Sequence, residues 1–385
     1  MTPKQQELDR SAIHFKPLKK RENKVRIESD AVQPGEKTGN LPKHVESGIK
    51  AAAEDIQNSN KNNSSVVCAF GAHTIKNGLG PVLIEMMKNG WLTHLATNGA
   101  GVIHDWEIAF QGETSENVAR NVKKGEFGIW QETGFYINTA LAVGAFEGLG
   151  YGESIGAMIS RDGLTIPREK ELLAFADRNK TETPGRAAAA LDLLKSIRLL
   201  DIKPGFMPIK HPYKRYSVQA AAFDLGINFT SHPMFGHDII YTHPANNGAA
   251  IGRTAERDFL TFAGSISRLE GGVYLSIGSA VMSPMIFEKS LSMARNIAMQ
   301  KGKSITDFTI YVVDLAESTW DWETGGEPPM DDPAYYLRYC KTFSRMGGKM
   351  RYITADNKLF IPELFNQLVS VHQPKKYSST MAQRV

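Results

Sequence analysis

The chain has 385 residues, of which 42% are hydrophobic and 22% are charged, and its formal net charge is only +4. This composition excludes a disordered chain, a collagen and a coiled-coil rod, and the small net charge argues against a nucleic-acid partner. Two cysteines, Cys68 and Cys340, are too few for a disulfide scaffold and favour a reducing compartment.

The sequence predicts neither a membrane span nor a secretion signal. The longest apolar stretch, residues 136–159, is interrupted by Glu147 and Glu153, whereas a span needs about 20 nearly uninterrupted apolar residues. The first 27 residues are polar and rich in Lys and Arg, without the apolar segment of a signal peptide. We therefore expect a cytoplasmic protein.

The first 45 residues differ in composition from the rest of the chain. Six Lys and Arg residues lie between positions 16 and 26, among few apolar ones. This predicts a basic N-terminal arm over 1–45, either a solvated tail or an arm laid over a neighbouring subunit. A single large catalytic domain is expected over 46–370, followed by a polar tail over 371–385.

Short apolar segments then alternate with helical patterns. A helix is predicted over 46–63 and a buried strand over 65–70, followed by a loop and a helix with Pro81 in its first turn. The next strand is predicted over 92–97. The small residues that follow the two strands, Gly71-Ala72 and Asn98-Gly99-Ala100-Gly101, would let the backbone approach a dinucleotide. Tight turns explain them equally well, because no GxGxxG motif is present.

The same alternation returns near the C-terminus, with strands predicted over 273–277, 308–313 and 350–354. Ser283-Pro284 and Asp332-Pro333 each predict the start of a helix, and a last helix is predicted from about Pro362. Strands that alternate with helices predict an α/β fold, a single large domain with a central, mostly parallel sheet flanked by helices. Ligands of such sheets bind at the carboxyl ends of the strands.

Two of the predicted loops carry clustered polar side chains. Residues 231–244 hold His232, His237 and His243 beside Asp238, so a zinc or iron site is conceivable, although the spacing matches no HExxH motif. Residues 314–332 hold seven carboxylates and two tryptophans without Lys or Arg, which suits a cationic amine or a solvated acidic loop.

The acidic loop leads into Lys341, which is surrounded in sequence by Tyr335, Tyr336, Tyr339 and Cys340. A lysine near the end of a short helix is usually a surface residue. Shielded among aromatic side chains, it could instead lose its proton and attack an imine or a carbonyl.

In order and spacing, these loops resemble the deoxyhypusine synthase family, NAD-dependent enzymes that move an aminobutyl group from spermidine to a protein lysine. Residues 95–102, LATNGAGV, and the following Asp105 match the family's pattern. Further matching segments are 217–238, 271–278, 308–313, 339–341 and 354–356.

The resemblance implies a Rossmann-like NAD-binding fold and a homotetramer with sites between paired subunits. It places NAD at fourteen residues, Gly71, Ala72, His73, Thr74, Ile75, Thr97, Asn98, Gly99, Gly278, Ser279, Asp314, Leu315, Ala355 and Asp356. Lys341 would be the nucleophile that carries the alkyl group as an imine, and Asp238 would bind a substrate amine.

The sequence departs from the family at its polyamine-binding positions. Ile103 and His104 replace two glutamates, Tyr335 replaces a glutamate, and Tyr339 replaces a tryptophan; the family's histidine near Ser283 has no counterpart. Retention of the cofactor with a change of substrate is the resulting interpretation, as expected of a bacterial paralogue.

We therefore predict an NAD-dependent alkyl (aminobutyl-type) transferase that moves an aminoalkyl group from a polyamine-like donor to an amine acceptor through an imine on Lys341. His104 or His237 would act as base, because imidazole titrates near neutral pH. Asp238, Asp321 and Tyr339 would bind the substrate, and no metal is expected.

Three alternatives remain open. In a homospermidine synthase-type transferase, the acceptor is a free polyamine instead of a protein lysine. A metal-dependent hydrolase would use His232, His237 and His243. A non-catalytic NAD-binding protein would have lost its chemistry.

Overall fold

The computed structural model describes residues 7–371; residues 1–6 and 372–385, and with them almost all of the predicted polar tail, lie outside the described residues. The strands are β1 Asn23–Arg26, β2 Val66–Phe70, β3 His94–Thr97, β4 Glu113–Glu116, β5 Gly163–Ile166, β6 Gly205–Pro208, β7 Asn228–Ser231, β8 Gly272–Ile277, β9 Phe308–Asp314 and β10 Lys349–Thr354. The helices are α1 Ile27–Asp30, α2 Lys43–Lys61, α3 His73–Lys76, α4 Gly80–Lys88, α5 Gly99–Gln111, α6 Val118–Lys123, α7 Gln131–Glu147, α8 Tyr151–Ser160, α9 Glu169–Asn179, α10 Pro184–Leu200, α11 Val218–Leu225, α12 Gly248–Ile266, α13 Met282–Met299, α14 Arg338–Ser344 and α15 Asn357–Val371.

Six parallel strands form the central sheet in the order β10-β9-β8-β2-β3-β7. Every residue of β2 and β8 is buried, because helices cover both faces of the sheet. The predicted α/β fold with a central parallel sheet flanked by helices is confirmed. In residues 7–371, no helix is long and apolar enough to span a bilayer.

The order in which the chain visits these strands defines where a ligand can bind. Counted along the chain, the six strands lie in the order 3-2-1-4-5-6, which is that of dinucleotide-binding Rossmann sheets. After β2 the chain moves to β3 on one side, and after β8 it moves to β9 on the other. The loops that leave β2 and β8 therefore diverge and open a crevice at the carboxyl edge.

At this crevice the two neighbouring backbones are in contact. The Gly71 N–H donates to the Ile277 carbonyl at 3.0 Å. A Cβ built on Gly71 would lie 2.1 Å from the Gly278 carbonyl oxygen. Position 71 therefore accepts only glycine, because the opposing atom belongs to a backbone and cannot rotate away.

The described part of the N-terminal segment, residues 7–45, is folded onto the body of its own chain and is not a solvated tail; its contact with a neighbouring subunit stays a prediction. Leu18 and Ile27 are buried in the main hydrophobic core. Strand β1 pairs antiparallel with β4, and the Arg21 guanidinium is buried against Glu107. The buried side chains of Leu18, Arg21 and Ile27 thus attach the segment to the rest of the protein.

Two predicted helix starts are wrong. Helix α13 begins at Met282, and Ser283 lies inside it, with its hydroxyl 2.9 Å from the Tyr274 hydroxyl. Helix α15 begins at Asn357, so Pro362 lies inside the helix. Asp356 accepts the Lys358 N–H at 2.8 Å and caps this end.

Gly71→Ala should destabilise the protein by about 2 kcal/mol or more, since the added methyl group forces β2 and β8 apart. Urea denaturation measures the loss. Gly252→Ala in α12 is the matched control, because a Cβ there meets nothing within 4 Å. The control should be neutral or slightly stabilising; equal stability of both variants would contradict the close backbone contact.

Candidate functional site

The predicted cofactor residues lie together at the carboxyl edge of the sheet. They follow β2, β3, β8, β9 and β10, and hydrogen bonds join several of these loops. The Ala355 N–H donates to the Asp314 carbonyl at 3.0 Å, and the Asn357 side-chain amide donates to Thr74 Oγ1 at 3.3 Å. The fourteen residues thus share one edge, and their contact with NAD stays a prediction.

Several features of this edge fit a dinucleotide. Gly278 is exposed and has no side chain, and the cationic side chain of Lys76 lies close to His73 in the short helix α3. Small residues and positive charge are what a diphosphate requires. One expected feature is missing: β3 ends in Thr97-Asn98 with no carboxylate for a ribose hydroxyl, and Asn98 caps α5 by accepting the Gly101 N–H at 2.9 Å.

Asp238 occupies the loop that follows β7. Its Oδ2 is buried and has no hydrogen-bond partner among residues 7–371. The carboxylate packs on the first turn of α5, where a Cβ on Gly99 would lie 2.1 Å from Oδ2. Burial raises the pKa of Asp238 to about 7. The side chain is therefore poised between its charged and neutral forms at neutral pH.

Two tyrosine hydroxyls share this environment. The hydroxyls of Tyr151 and Tyr241 are buried and without partners in the described part of the chain. Burial first, and then the nearby charge of Asp238, raises the pKa of both phenols. A buried polar atom without a partner costs free energy, so three of them in one place indicate a site for a ligand or water. We call Asp238, Tyr151 and Tyr241 the acidic pocket.

A second carboxylate holds the wall of the acidic pocket in place. Asp258, in α12, accepts the backbone N–H groups of Gly152 at 2.9 Å and of Ser231 at 2.6 Å. It thereby ties the start of α8 to the end of β7, next to the pocket. Despite these bonds, burial raises the pKa of Asp258 to about 8.

The two predicted histidine bases have different surroundings, His104 half-buried in α5 and His237 exposed in the loop after β7. Burial lowers the pKa of His104 to about 4, so its imidazole is neutral at pH 7 and only a weak base. His237 is exposed and lies outside the acidic pocket. Asp238, with a pKa near neutrality, is better matched to accept a proton at pH 7.

Lys341 lies in α14, and its surroundings stabilise the ammonium form. Its Nζ is 3.1 Å from Glu327 Oε1 and 3.4 Å from the centre of the Tyr335 ring. The contact with Tyr335 and the charge of Glu327 raise its pKa above the ordinary value. This is the opposite of the predicted loss of a proton, because Glu327 of the acidic loop folds back and pairs with Lys341.

Lys341 and the acidic pocket lie over different halves of the sheet. Next to Lys341, Tyr339 Oη lies 3.2 Å from Tyr352 Oη, which donates to the Ala316 carbonyl just beyond β9 at 2.6 Å. Asp238 lies beside β3 and β7. Since neighbouring strands are about 4.8 Å apart, three spacings separate the ends of β9 and β3 by about 14 Å.

The acidic loop uses its carboxylates within the protein. Asp321 accepts the Thr324 hydroxyl and the N–H groups of Thr324 and Glu323, and these bonds lower its pKa. Glu327 forms a bidentate pair with Arg345 at 2.7 and 2.8 Å. Hydrogen-bond donors of the loop itself thus bind the Asp321 carboxylate, and its role in binding a substrate amine stays a prediction.

The three histidines of residues 231–244 do not converge. His232 Nε2 lies 3.0 Å from Thr230 Oγ1, whereas His243 Nδ1 accepts the Ala245 N–H at 3.0 Å. No group of three or more His, Cys, Asp or Glu side chains in residues 7–371 could hold a metal ion. The structure thus gives the hydrolase alternative no metal-binding site.

No family model matches the chain, and no curated protein matches it in sequence. Among solved structures, it is similar to ArgZ, an arginine dihydrolase from cyanobacteria, with 12% identity over 87% of this chain and 34% of that chain and a TM-score of 0.42. It is similar to AgrE in a ternary complex with ornithine and NAD+, with 14% identity over 86% of this chain and 34% of that chain and a TM-score of 0.42. A candidate deoxyhypusine synthase from Entamoeba histolytica matches with 11% identity over 85% of this chain and 89% of that chain, with a TM-score of 0.37.

The chain spans about a third of the length of the ArgZ and AgrE chains. With TM-scores of 0.37 to 0.42, these likenesses do not assign the chain to a family or an activity.

The raised pKa of Asp238 has a consequence for stability. Between about pH 4 and pH 7 the folded state holds a proton that the unfolded chain releases, so the contribution of Asp238 to the free energy of unfolding falls as pH rises through this window. Asp238→Asn should reduce the loss of stability between about pH 5 and pH 8 by about 2 kcal/mol. Urea denaturation at both pH values measures it.

The exposed Asp331 provides the control, because Asp331→Asn should leave the loss of stability as in the wild type. An unchanged pH dependence in the Asp238→Asn variant would show that the carboxylate at position 238 is not held in a desolvated site.

Proposed function

We propose that this chain binds NAD at the crevice between β2 and β8 and transfers an aminoalkyl group from a cationic amine donor to an acceptor amine, with Lys341 as the covalent carrier. The observation that carries the proposal is the acidic pocket, a buried carboxylate and two buried hydroxyls without partners. The acceptor amine would belong to a protein lysine or to a free polyamine.

The acidic pocket matches a primary ammonium in number and in charge. An ammonium donates three hydrogen bonds and accepts none. Asp238 Oδ2, Tyr151 Oη and Tyr241 Oη offer three acceptor atoms, and the carboxylate supplies a negative charge. A bound ammonium would also favour the ionised form of Asp238, which burial alone disfavours.

The acidic pocket lies on one side of the proposed cofactor site, so a donor bound in the pocket could extend toward the cofactor. The crevice between β2 and β8 lies between the end of β3, beside Asp238, and the end of β9, beside Lys341. An extended aminoalkyl chain anchored at Asp238 would run toward the crevice. NAD bound there supplies one chemical function: it takes a hydride from the carbon that bears an amine and later returns it.

Asp238 and Lys341 would act in different steps of the transfer. An amine that loses a hydride from its carbon and a proton from its nitrogen becomes an imine; Asp238 would hold the ammonium at the other end of the donor, and the released proton would pass to solvent. The Lys341 amine attacks the imine carbon, the donor amine leaves with a proton, and the alkyl group is held as an imine on Nζ. The acceptor amine then displaces Lys341, and return of the hydride gives the new secondary amine, so the sequence involves no net oxidation.

Lys341 must lose a proton before it can attack. In the structure it is paired with Glu327 and covered by Tyr335, both of which favour the ammonium. Glu327 also pairs with Arg345, so a movement that leaves Glu327 with Arg345 alone would release Lys341. The proposal therefore includes a displacement of Glu327 from Lys341 when substrate binds.

The pairing of Lys341 with Glu327 also favours a second candidate function. If the pair persists with ligand bound, the lysine stays protonated and cannot form an imine. The chain would then bind NAD and an amine without catalysis.

Borohydride trapping tests the proposal. Protein incubated with NAD and spermidine or putrescine should, on reduction, carry an aminoalkyl group on the peptide that contains Lys341, detected by mass spectrometry. Lys341→Arg should abolish the adduct and retain NAD binding, whereas the exposed Lys301→Arg should behave as the wild type. Asp238→Asn should lower adduct formation by about tenfold or more, because one charged hydrogen-bond partner is lost.

The outcomes separate the two candidates. Binding of NAD and amine without an adduct would favour the non-catalytic protein. An adduct that persists in Lys341→Arg would overturn the assignment of Lys341, and amine binding unaffected by Asp238→Asn would overturn the acidic pocket.

A further inference from the structure

A third buried carboxylate, Glu107 in α5, accepts hydrogen bonds from several donors. The Arg21 guanidinium donates to both of its oxygens, at 2.8 Å and 2.5 Å, and both side chains are almost fully buried. The Thr133 hydroxyl donates to Oε1 at 3.0 Å. Although burial opposes the charged form, Arg21 and the other donors outweigh it and lower the pKa of Glu107. Glu107 is therefore ionised and acts only as an acceptor.

The fourth donor to Glu107 fixes the proton position on a neighbouring histidine. The Thr114 hydroxyl donates to Glu107 Oε2 at 2.5 Å, which uses its single proton. His104 Nδ1 lies 2.7 Å from the same Thr114 oxygen. Because Thr114 has no second proton to give, the proton of this contact must reside on His104 Nδ1. We call Arg21, Glu107 and Thr114 the relay.

The other ring nitrogen, Nε2, is therefore the unprotonated one. It has no hydrogen-bond partner among residues 7–371 and is not sealed from solvent. His73, one of the residues predicted to contact NAD, and Lys76, at the end of the same short helix, are close enough to act electrostatically on His104. Helix α3, which carries both residues, packs on α5.

We propose that the relay locks His104 in the Nδ1–H tautomer, so that Nε2 offers a lone pair to a neutral N–H or O–H donor of the bound ligand. An anion is disfavoured because it would face this lone pair, and an ammonium is disfavoured by the charge of Lys76. An amide or a hydroxyl group remains. His104 thus acts as an acceptor that selects the ligand, in place of the general base predicted from the sequence.

The members of the relay are positioning residues, since they reach the ligand only through His104. Arg21 belongs to the N-terminal segment, so the proposal gives that segment a role at the site. The identity of the ligand as NAD rests on the proposed function, whereas the tautomer of His104 does not.

Nitrogen-15 NMR of the histidine side chains tests the tautomer directly. The resonances of His104 are assigned by their loss in His104→Gln. Wild-type protein at pH 7 should show Nδ1 protonated and Nε2 unprotonated. Thr114→Val removes the acceptor and should lower the preference for this tautomer by about tenfold, whereas Thr114→Ser should retain it. An Nε2–H tautomer in the wild type, or an unchanged preference in Thr114→Val, would overturn the proposal.

Arg21→Met tests the far end of the relay. Without its counter-ion, buried Glu107 should take up a proton and donate it to Thr114, which can then donate to Nδ1 and reverse the tautomer. A folded Arg21→Met variant with the wild-type tautomer would exclude Arg21 from the relay. If this variant does not fold, the comparison of Thr114→Val with Thr114→Ser still decides.

Addition of NAD tests the ligand chemistry. The Nε2 resonance of His104 should move toward that of a hydrogen-bonded acceptor. If calorimetry shows that NAD binds and the resonance does not move, the acceptor role is wrong. If NAD does not bind at all, the proposed function fails while the tautomer result stands.

Discussion

The backbone contact between Gly71 and Gly278 is the constraint on which the candidate site depends. It brings the ends of β2 and β8 so close that no side chain fits between them. From this point the chain leaves in two directions, toward β3 and β7 on one side and toward β9 and β10 on the other. That divergence determines where the crevice, the acidic pocket and Lys341 lie, because each comes after a strand on one side of the sheet or the other.

The central sheet could be predicted from the sequence because its strands are buried on both faces. Segments such as VVCAF at 66–70 are short, apolar and flanked by small or polar residues, and this pattern has few other structural explanations. Helix starts were less predictable. Ser283-Pro284 has the sequence of a cap, yet the Ser283 hydroxyl bonds to Tyr274, a contact between two elements. The start of α15 predicted at Pro362 is wrong for a related reason, since the residue that caps this helix is Asp356.

For the candidate site, the sequence likewise predicted positions better than chemical properties. The loops could be located from the sequence, because the carboxyl ends of parallel strands share one edge. The protonation behaviour of their residues could not. The pKa of Asp238 is raised by burial beside Tyr151, which is distant in sequence, and Lys341 keeps its proton because of Tyr335 and Glu327. No spacing rule encodes such contacts, so Tyr151 and Tyr241 carried no signal that sequence reasoning could have used.

The docking of the N-terminal segment also bears on how the chain is made. Arg21 emerges from the ribosome 86 residues before Glu107, and β1 must wait for β4 in the same way. Until then Leu18 and Ile27 have no core to enter. Removal of this segment would leave buried Glu107 without its counter-ion, a change that typically costs about 3–5 kcal/mol. Residues 18–27 are thus required to close the interior around α5.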